Sequence, residues 1–311
     1  MPTRTFHAVP VATLANGHHV SLPVHTVRGD APGPRLGLIS GVHGDEPLAV
    51  ETVRRVLDLV TRSDDFKGEI TAVPVANPYA HMALERNTPL DGMNLNRIFP
   101  GAPVGSITQQ IAHALLGIFL GRVDYLIDFH SGGNFACVDY AYIHDDGAEL
   151  SKAYGTQLLY RGPGYQGSFT ATVREHGIPA VVSELGGGSQ RIGHYLRQGV
   201  RGATNVMKHL GMLDGPVDRT EGQRVVDELT IVQPRHGGIL LSEIHPDRLG
   251  HEVPAGTVLG RVLNPYTFEE LEVLTAPFEQ NIMVLTRVEY TNVSPGDYGF
   301  MIANAATATL A

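Results

Sequence analysis

The sequence predicts an α/β fold, with a mixed central sheet and helices on both faces over residues 1–220 and a small all-β module over residues 221–311. Three observations lead there. Short apolar runs, each about the length of a buried strand and each ending in polar or glycine residues, recur at Leu36–Val42, Val123–Gly133 and Ile178–Ser183. Stretches with apolar residues at helical spacing alternate with them, as in a sheet covered by helices. From Thr230 onward that alternation stops, and short strand-like pieces divided by glycine and proline take over.

Taken in order, residues 1–35 alternate in polarity and are broken by Gly29, Pro32, Gly33 and Pro34, which reads as an edge strand or hairpin feeding the core strand Leu36–Val42. Gly44–Pro47 punctuates that strand. Val50, Val53, Val56, Leu57 and Val60 then keep helical spacing to about Arg62, with Pro47 near the first turn, where its missing N–H costs nothing. Glu69–Asn77 reads as a second core strand. From Glu85 to Gly105 no period is sustained, and a loop that long in a compact domain is usually functional or disordered. Ser106 can cap a helix running to Leu120. Val138–Gly177 reads as strand, helix and connecting loops, and Gly193–Leu213 as a helix.

The net charge of −9 argues against a nucleic-acid surface, because phosphate backbones attract basic faces. One cysteine, Cys137, excludes an intramolecular disulfide and a cysteine zinc cage and fits a reducing compartment. It reads better as a small core residue than as a nucleophile. Neither a signal peptide's apolar core nor a membrane span of about 20 apolar residues is visible, so a cytoplasmic location without membrane partners is expected.

The chemistry gathers at strand ends. His43 and Glu46 share the turn after the first core strand; alone, the pair reads equally as metal ligands or as a surface histidine beside a helix's first carboxylate. His130 ends another strand, with Asp128 two positions back on the same face, where a carboxylate can fix the orientation of a ligating ring. Glu184 ends the third, before Leu185 and three glycines. Sites in open α/β sheets form outside the carboxyl ends of strands, so these ends aim metal-competent or acid/base groups at one rim. In the aperiodic loop, Asn96 and Arg97 suit a carboxylate, since arginine supplies a rigid fork of donors; solvated surface arginines are the plainer alternative.

The motifs G-V-H-G-D-E, N-L-N-R-I-F-P-G, D-F-H-S-G and S-E-L-G-G, in that order, resemble the succinylglutamate desuccinylase/aspartoacylase family, a branch of the zinc carboxypeptidase superfamily. The likeness extends from about Leu36 to Gly188 by motif, and its deacylase branch for N-acetyl-diaminobutyrate looks nearer than aspartoacylase. It implies one zinc ion per chain on His43, Glu46 and His130, with Glu184 as the catalytic carboxylate. It implies that Asn96 and Arg97 bind the substrate carboxylate. Arg174, ten residues before Glu184, and Arg86, before a longer loop carrying P-L-D-G-M-N, are further substrate-binding candidates. A tyrosine of the C-terminal module is also implied, with Tyr290 and Tyr298 both open.

The expected function is therefore a zinc-dependent amidohydrolase that removes a short acyl group from an N-acyl amino acid or related small amide, by attack of a zinc-activated water with Glu184 as general base. A zinc carboxypeptidase acting on small peptides and a non-catalytic metal- or carboxylate-binding protein are the alternatives. The C-terminal module resembles a lipoyl-type sandwich, but no lysine occurs from Glu221 to the end, so it cannot carry such a group; scaffold or homo-oligomer contact is the expectation for it.

Overall fold

The computed structural model describes all residues 1–311. The chain opens with a hairpin, β1 (Thr3–Thr13) and β2 (His19–Arg28), and enters β3 (Ala31–Ile39). Then follow α1 (Pro47–Thr61), β4 (Lys67–Val73), α2 (Pro78–Ala83), α3 (Ile107–Phe119), β5 (Tyr125–His130), β6 (Ala136–Tyr142), α4 (Ala148–Tyr154) and β7 (Leu158–Tyr160). Next come α5 (Phe169–Glu175), β8 (Ala180–Gly186) and α6 (Ile192–His209). The remainder is strands: β9 (Arg224–Val226), β10 (Leu229–Val232), β11 (Gly238–Ser242), β12 (Glu252–Pro254), β13 (Val258–Leu263), β14 (Glu270–Thr275), β15 (Gln280–Arg287), β16 (Tyr290–Val293), β17 (Phe300–Asn304) and β18 (Thr309–Leu310).

The main sheet runs β1-β2-β4-β3-β5-β8-β6-β15-β17-β10, parallel across β4, β3, β5 and β8 and antiparallel outside them. Leu36 and Leu38 of β3 join α1, α4 and α6 in one apolar cluster, while Ile39 joins α3 and α5 in another. Alternate side chains thus feed opposite faces, so helices cover both. The buried stripe of α1 is Ala49, Thr52, Val53, Val56, Leu57 and Val60; it shares Val53, Val56, Leu57 and Val60 with the periodicity read from sequence, while Val50 is only half-buried. Burying each large aliphatic side chain is worth about 1.5–3 kcal/mol. A separate antiparallel sheet, β14-β13-β11-β16, lies wholly beyond residue 221. The mixed sheet, its two helical layers and the small second sheet are the predicted architecture.

Two details differ from expectation. β8 runs on to Gly186, so Glu184 lies within the strand: its antiparallel neighbour β6 keeps pairing through Leu185 and Gly186. Beyond residue 221, β15 also pairs directly with β6 (Leu285 opposite Val138), extending the main sheet.

The parallel order β3-β5-β8 puts three successive carboxyl ends on one rim. The turn after β3 is clamped there, because the Gly44 N–H donates to the Glu85 carbonyl at 2.9 Å. A Cβ on Gly44 would lie 1.9 Å from the Ala80 carbonyl. Gly44→Ala is therefore expected to destabilise the fold by about 1–3 kcal/mol, as other overpacking changes do, and to displace His43 and Glu46. Urea unfolding with a metal assay measures both effects; an unchanged midpoint contradicts the close approach.

Candidate active site

The aperiodic loop 84–106 is held by its own polar groups. Asp91 accepts from the Thr108 hydroxyl (2.6 Å) and amide (3.0 Å) at the start of α3, and Asn77 donates to Thr88 at 2.9 Å. Ser106 and Gln109 close a capping box on the same helix. The loop thereby presents a single 3-10 turn, Leu95–Arg97, to the rim.

His43, Glu46 and His130 meet there, all buried, with one ligand atom from each lying within 4.8 Å of the others. The His43 Nδ1 is 2.8 Å from Glu46 Oε1 and the His130 Nδ1 is 2.9 Å from Glu46 Oε2. Asn94 Oδ1 accepts the Asn96 amide at 2.9 Å, which identifies it as oxygen, and it lies 3.1 Å from His43 Nε2. That nitrogen therefore carries the ring proton, leaving a lone pair on Nδ1. His130 Nε2 sits 3.1 Å from Asp128 Oδ1, an ion-pair distance, with the Asn96 amide nitrogen farther off at 3.5 Å. The His43 lone pair thus faces Glu46, a carboxylate that only accepts, and a positive charge in the cluster, on the His130 ring or on a bound ion, satisfies the arrangement. The donor set, two imidazoles and one carboxylate, fits a divalent ion such as zinc.

Burial pushes His43 down to about 4, against the pull of Glu46. Burial also works against a charged His130, but Asp128 and Glu46 hold it well above its ordinary value. Glu46 is shifted below the usual carboxylate range, because His43 and His130 outweigh the burial that opposes them. Glu184 pairs in register with His130 on the adjacent parallel strand, so both side chains leave the same face of the sheet. Burial pushes its carboxyl up to about 8, helped by Glu46 and opposed by His130 and Arg86.

A 60 Å³ inner chamber is lined by His43, Asn96, Arg97, His144, Arg174 and Glu184, among others. A 360 Å³ outer chamber shares Arg86, Arg97, Tyr165 and Glu184 and is closed by Leu285, Arg287, Tyr298 and Met301 of the C-terminal strands and their connection. A larger concavity of 1090 Å³ lies between the β1-β2 hairpin and α3, and it shares no residue with this cluster.

The substrate candidates fall differently. Asn96 is buried, its Oδ1 taken by the Phe169 amide at 2.9 Å, which leaves Nδ2 to donate. Arg97 stacks 3.9 Å over the Tyr165 ring, and no carboxylate of the chain pairs with it. Arg86 reaches Glu46 Oε1 at 3.4 Å from the rim of both chambers. Arg174 lines the inner chamber with its guanidinium already forked onto Asp146. Of the two tyrosines, Tyr298 reaches the site, its hydroxyl 3.1 Å from that of Tyr165; Tyr290, at 70% exposed, does not line either chamber. Cys137 is buried with its thiol pushed up to about 11, as a core residue's would be.

Tyr165 and Asp146 escaped sequence reading, and Asn94 entered it only as the first residue of the N-L-N-R motif, without a role. Asn94 had a faint signal, a residue able to cap the turn two positions before Asn96. Tyr165 sits in the glycine-rich segment 161–167 and Asp146 in a short turn before α4, and neither carries a pattern. No helix is long and apolar enough to cross a membrane.

A family model for the succinylglutamate desuccinylase/aspartoacylase catalytic domain matches residues 32–210. The N-alpha-acetyl-L-2,4-diaminobutyric acid deacetylase of Halomonas elongata is 31% identical over 78% of this chain and 74% of its own. A succinylglutamate desuccinylase from Silicibacter sp. TM1040 superposes with a TM-score of 0.83 at 26% identity, covering 97% of this chain and 94% of that one. The ectoine utilization protein EutE from Ruegeria pomeroyi shares the fold, with a TM-score of 0.82 at 24% identity over 97% and 95% of the two chains.

Proposed function

Because the chain belongs to the succinylglutamate desuccinylase/aspartoacylase family, we propose that it is a zinc-dependent amidohydrolase that removes a short acyl group from an N-acyl amino acid. The observation that carries the reading is the buried trio His43, Glu46 and His130 beside a carboxyl, Glu184, in a cleft with one unpaired arginine. The Halomonas relative, a deacetylase, supports acetyl as the acyl group.

His43, Glu46 and His130 would hold the ion. When bound, a divalent ion of this kind polarises a carbonyl and makes water acidic near neutral pH. The chain's own groups account for the rest. Glu184 takes the proton of the attacking water and delivers it to the departing amine nitrogen. Arg86, at the rim, balances charge that develops on the carbonyl oxygen. Arg97 and the Asn96 amide hold the substrate carboxylate and so orient the scissile bond. Residues 1–220 would carry this chemistry, and residues 221–311 would wall the outer chamber.

That wall supports small N-acyl substrates over the carboxypeptidase alternative, since residues of β15 and β17 bound the outer chamber and limit its size to 360 Å³. A non-catalytic carboxylate binder has no use for a half-buried proton acceptor beside the trio. Assaying zinc-loaded protein on N-acetyl amino acids and on dipeptides separates the readings: faster dipeptide cleavage selects the peptidase, and no cleavage selects the binder. Arg97→Ala is expected to lower kcat/KM about 10–100-fold, chiefly through KM, because a charge-assisted hydrogen bond is worth about 1.5–3 kcal/mol. An unchanged KM would remove Arg97 from the carboxylate site.

A further inference from the structure

Three arginines line the inner chamber and differ in what is left of their charge. Arg86, at its rim, lies 3.4 Å from Glu46. Arg97 has no carboxylate partner: its Nη1 donates to the Asn96 carbonyl at 2.7 Å and its plane lies on Tyr165. Arg174, in the last turn of α5, donates from Nε at 3.0 Å and from Nη2 at 2.8 Å to Asp146, an acid in the short turn Asp145–Gly147 before α4. Asp146 engages only the Nε–Nη2 side of the guanidinium, so Nη1 can still donate, but the carboxylate offsets the positive charge that a second carboxylate would need. His144 shares the chamber, and burial together with the neighbouring Arg174 lowers its pKa, so at neutral pH its ring adds no positive charge. With Arg86 paired to Glu46 and assigned to the carbonyl oxygen, Arg97 is the one arginine of the chamber without a carboxylate partner, and it is assigned to the carboxylate common to every N-acyl amino acid.

We infer that Asp146 is a specificity-determining residue: by occupying Arg174 it leaves the inner chamber without a counter-charge for a second carboxylate, so the enzyme discriminates against acidic amino acids in the amine half of its substrate. Amino acids with neutral or cationic side chains are the accepted class. This rests on the proposed placement of the substrate carboxylate on Asn96 and Arg97. Asp146 acts through Arg174 and does not touch the substrate itself.

N-acetyl-L-asparagine and N-acetyl-L-aspartate test this directly, because they match in size and differ in charge. Wild-type protein is expected to favour the asparagine compound by about 10-fold or more in kcat/KM, and Asp146→Ala to cut that ratio about 10-fold by improving KM for the aspartate compound. Asp145→Ala removes the same charge from an exposed neighbour that makes no contact with Arg174, and it is expected to leave the ratio unchanged. Equal use of both compounds by wild type, an Asp146→Ala ratio like wild type's, or an equal effect of Asp145→Ala overturns the inference. If neither compound nor any other N-acyl amino acid is hydrolysed, the proposed function fails separately. Calorimetric titration of free asparagine and aspartate into Glu184→Gln protein, with and without Asp146→Ala, then decides the charge discrimination: tighter aspartate binding only without the Asp146 carboxylate supports it, and indifference overturns it.

Discussion

Glu184→Gln is expected to keep its metal, keep its fold and lose about 10²–10⁴-fold in kcat, the range that general acid–base groups contribute. The amide is nearly the same size and can still donate and accept hydrogen bonds, but it cannot take a proton from water near neutral pH. Folding offers an independent check. The carboxyl's pKa rises from an ordinary 4.5 to about 8 in the folded, metal-free protein. An acid with a raised folded pKa favours folding while it is neutral. That contribution is complete below about pH 4.5 and is lost as pH climbs through about 8. Metal-free wild type should therefore lose more stability over that window than the glutamine variant does. Urea midpoints at several pH values give this comparison, and steady-state assays give the rate. Wild-type turnover in the variant would take Glu184 out of the mechanism.

His43→Ala and His130→Ala should each cost the protein its metal. Losing a group that only orients a ligand typically lowers metal affinity 10–100-fold, so loss of a direct ligand should exceed about 100-fold. The two variants should not be equivalent in stability. His130 anchors a chain of contacts, to Asp128 at 3.1 Å and from Asp128 to Thr170 at 2.7 Å, so its removal leaves a buried carboxylate short of a partner. His43 leans on Asn94, a neutral amide that is cheaper to strand. Equilibrium dialysis against buffered zinc gives the affinities, and thermal unfolding of the apo-variants ranks their stabilities. Zinc affinity unchanged in both variants would refute the ligand assignment.

Much of this site could be read along the chain because each part sits where a local pattern changes. β3 and β5 announce themselves as apolar runs, and His43, Glu46 and His130 follow or end them. The order of the sheet then does what no local pattern specifies, setting β3, β5 and β8 side by side. Glu184 was legible as a strand-end carboxyl. That it lies inside β8 was not, because the extension depends on pairing with β6, a strand more than 40 residues upstream. The same holds for the C-terminal strands. Their alternation marks them as strands, yet the pairing of Leu285 with Val138 joins segments far apart in sequence, and only that pairing puts β15 against the outer chamber. Tyr290 and Tyr298 look alike in sequence. Register separates them: Tyr290 starts β16 opposite Leu241 and is exposed, while Tyr298 sits in the connection before β17 and meets Tyr165. Asp146 illustrates the limit, since its partner Arg174 is 28 positions away and nothing local links them.

The proposed chemistry depends on one ion shared by three side chains from distant segments. Crystals of zinc-loaded protein, measured on both sides of the zinc absorption edge, locate that ion by anomalous scattering. The prediction is a single strong peak per chain at bonding distance from Nδ1 of His43, Nδ1 of His130 and the carboxylate of Glu46, with Glu184 close by and not ligating. A peak elsewhere, or none between those three residues in protein that hydrolyses its substrate, would contradict it.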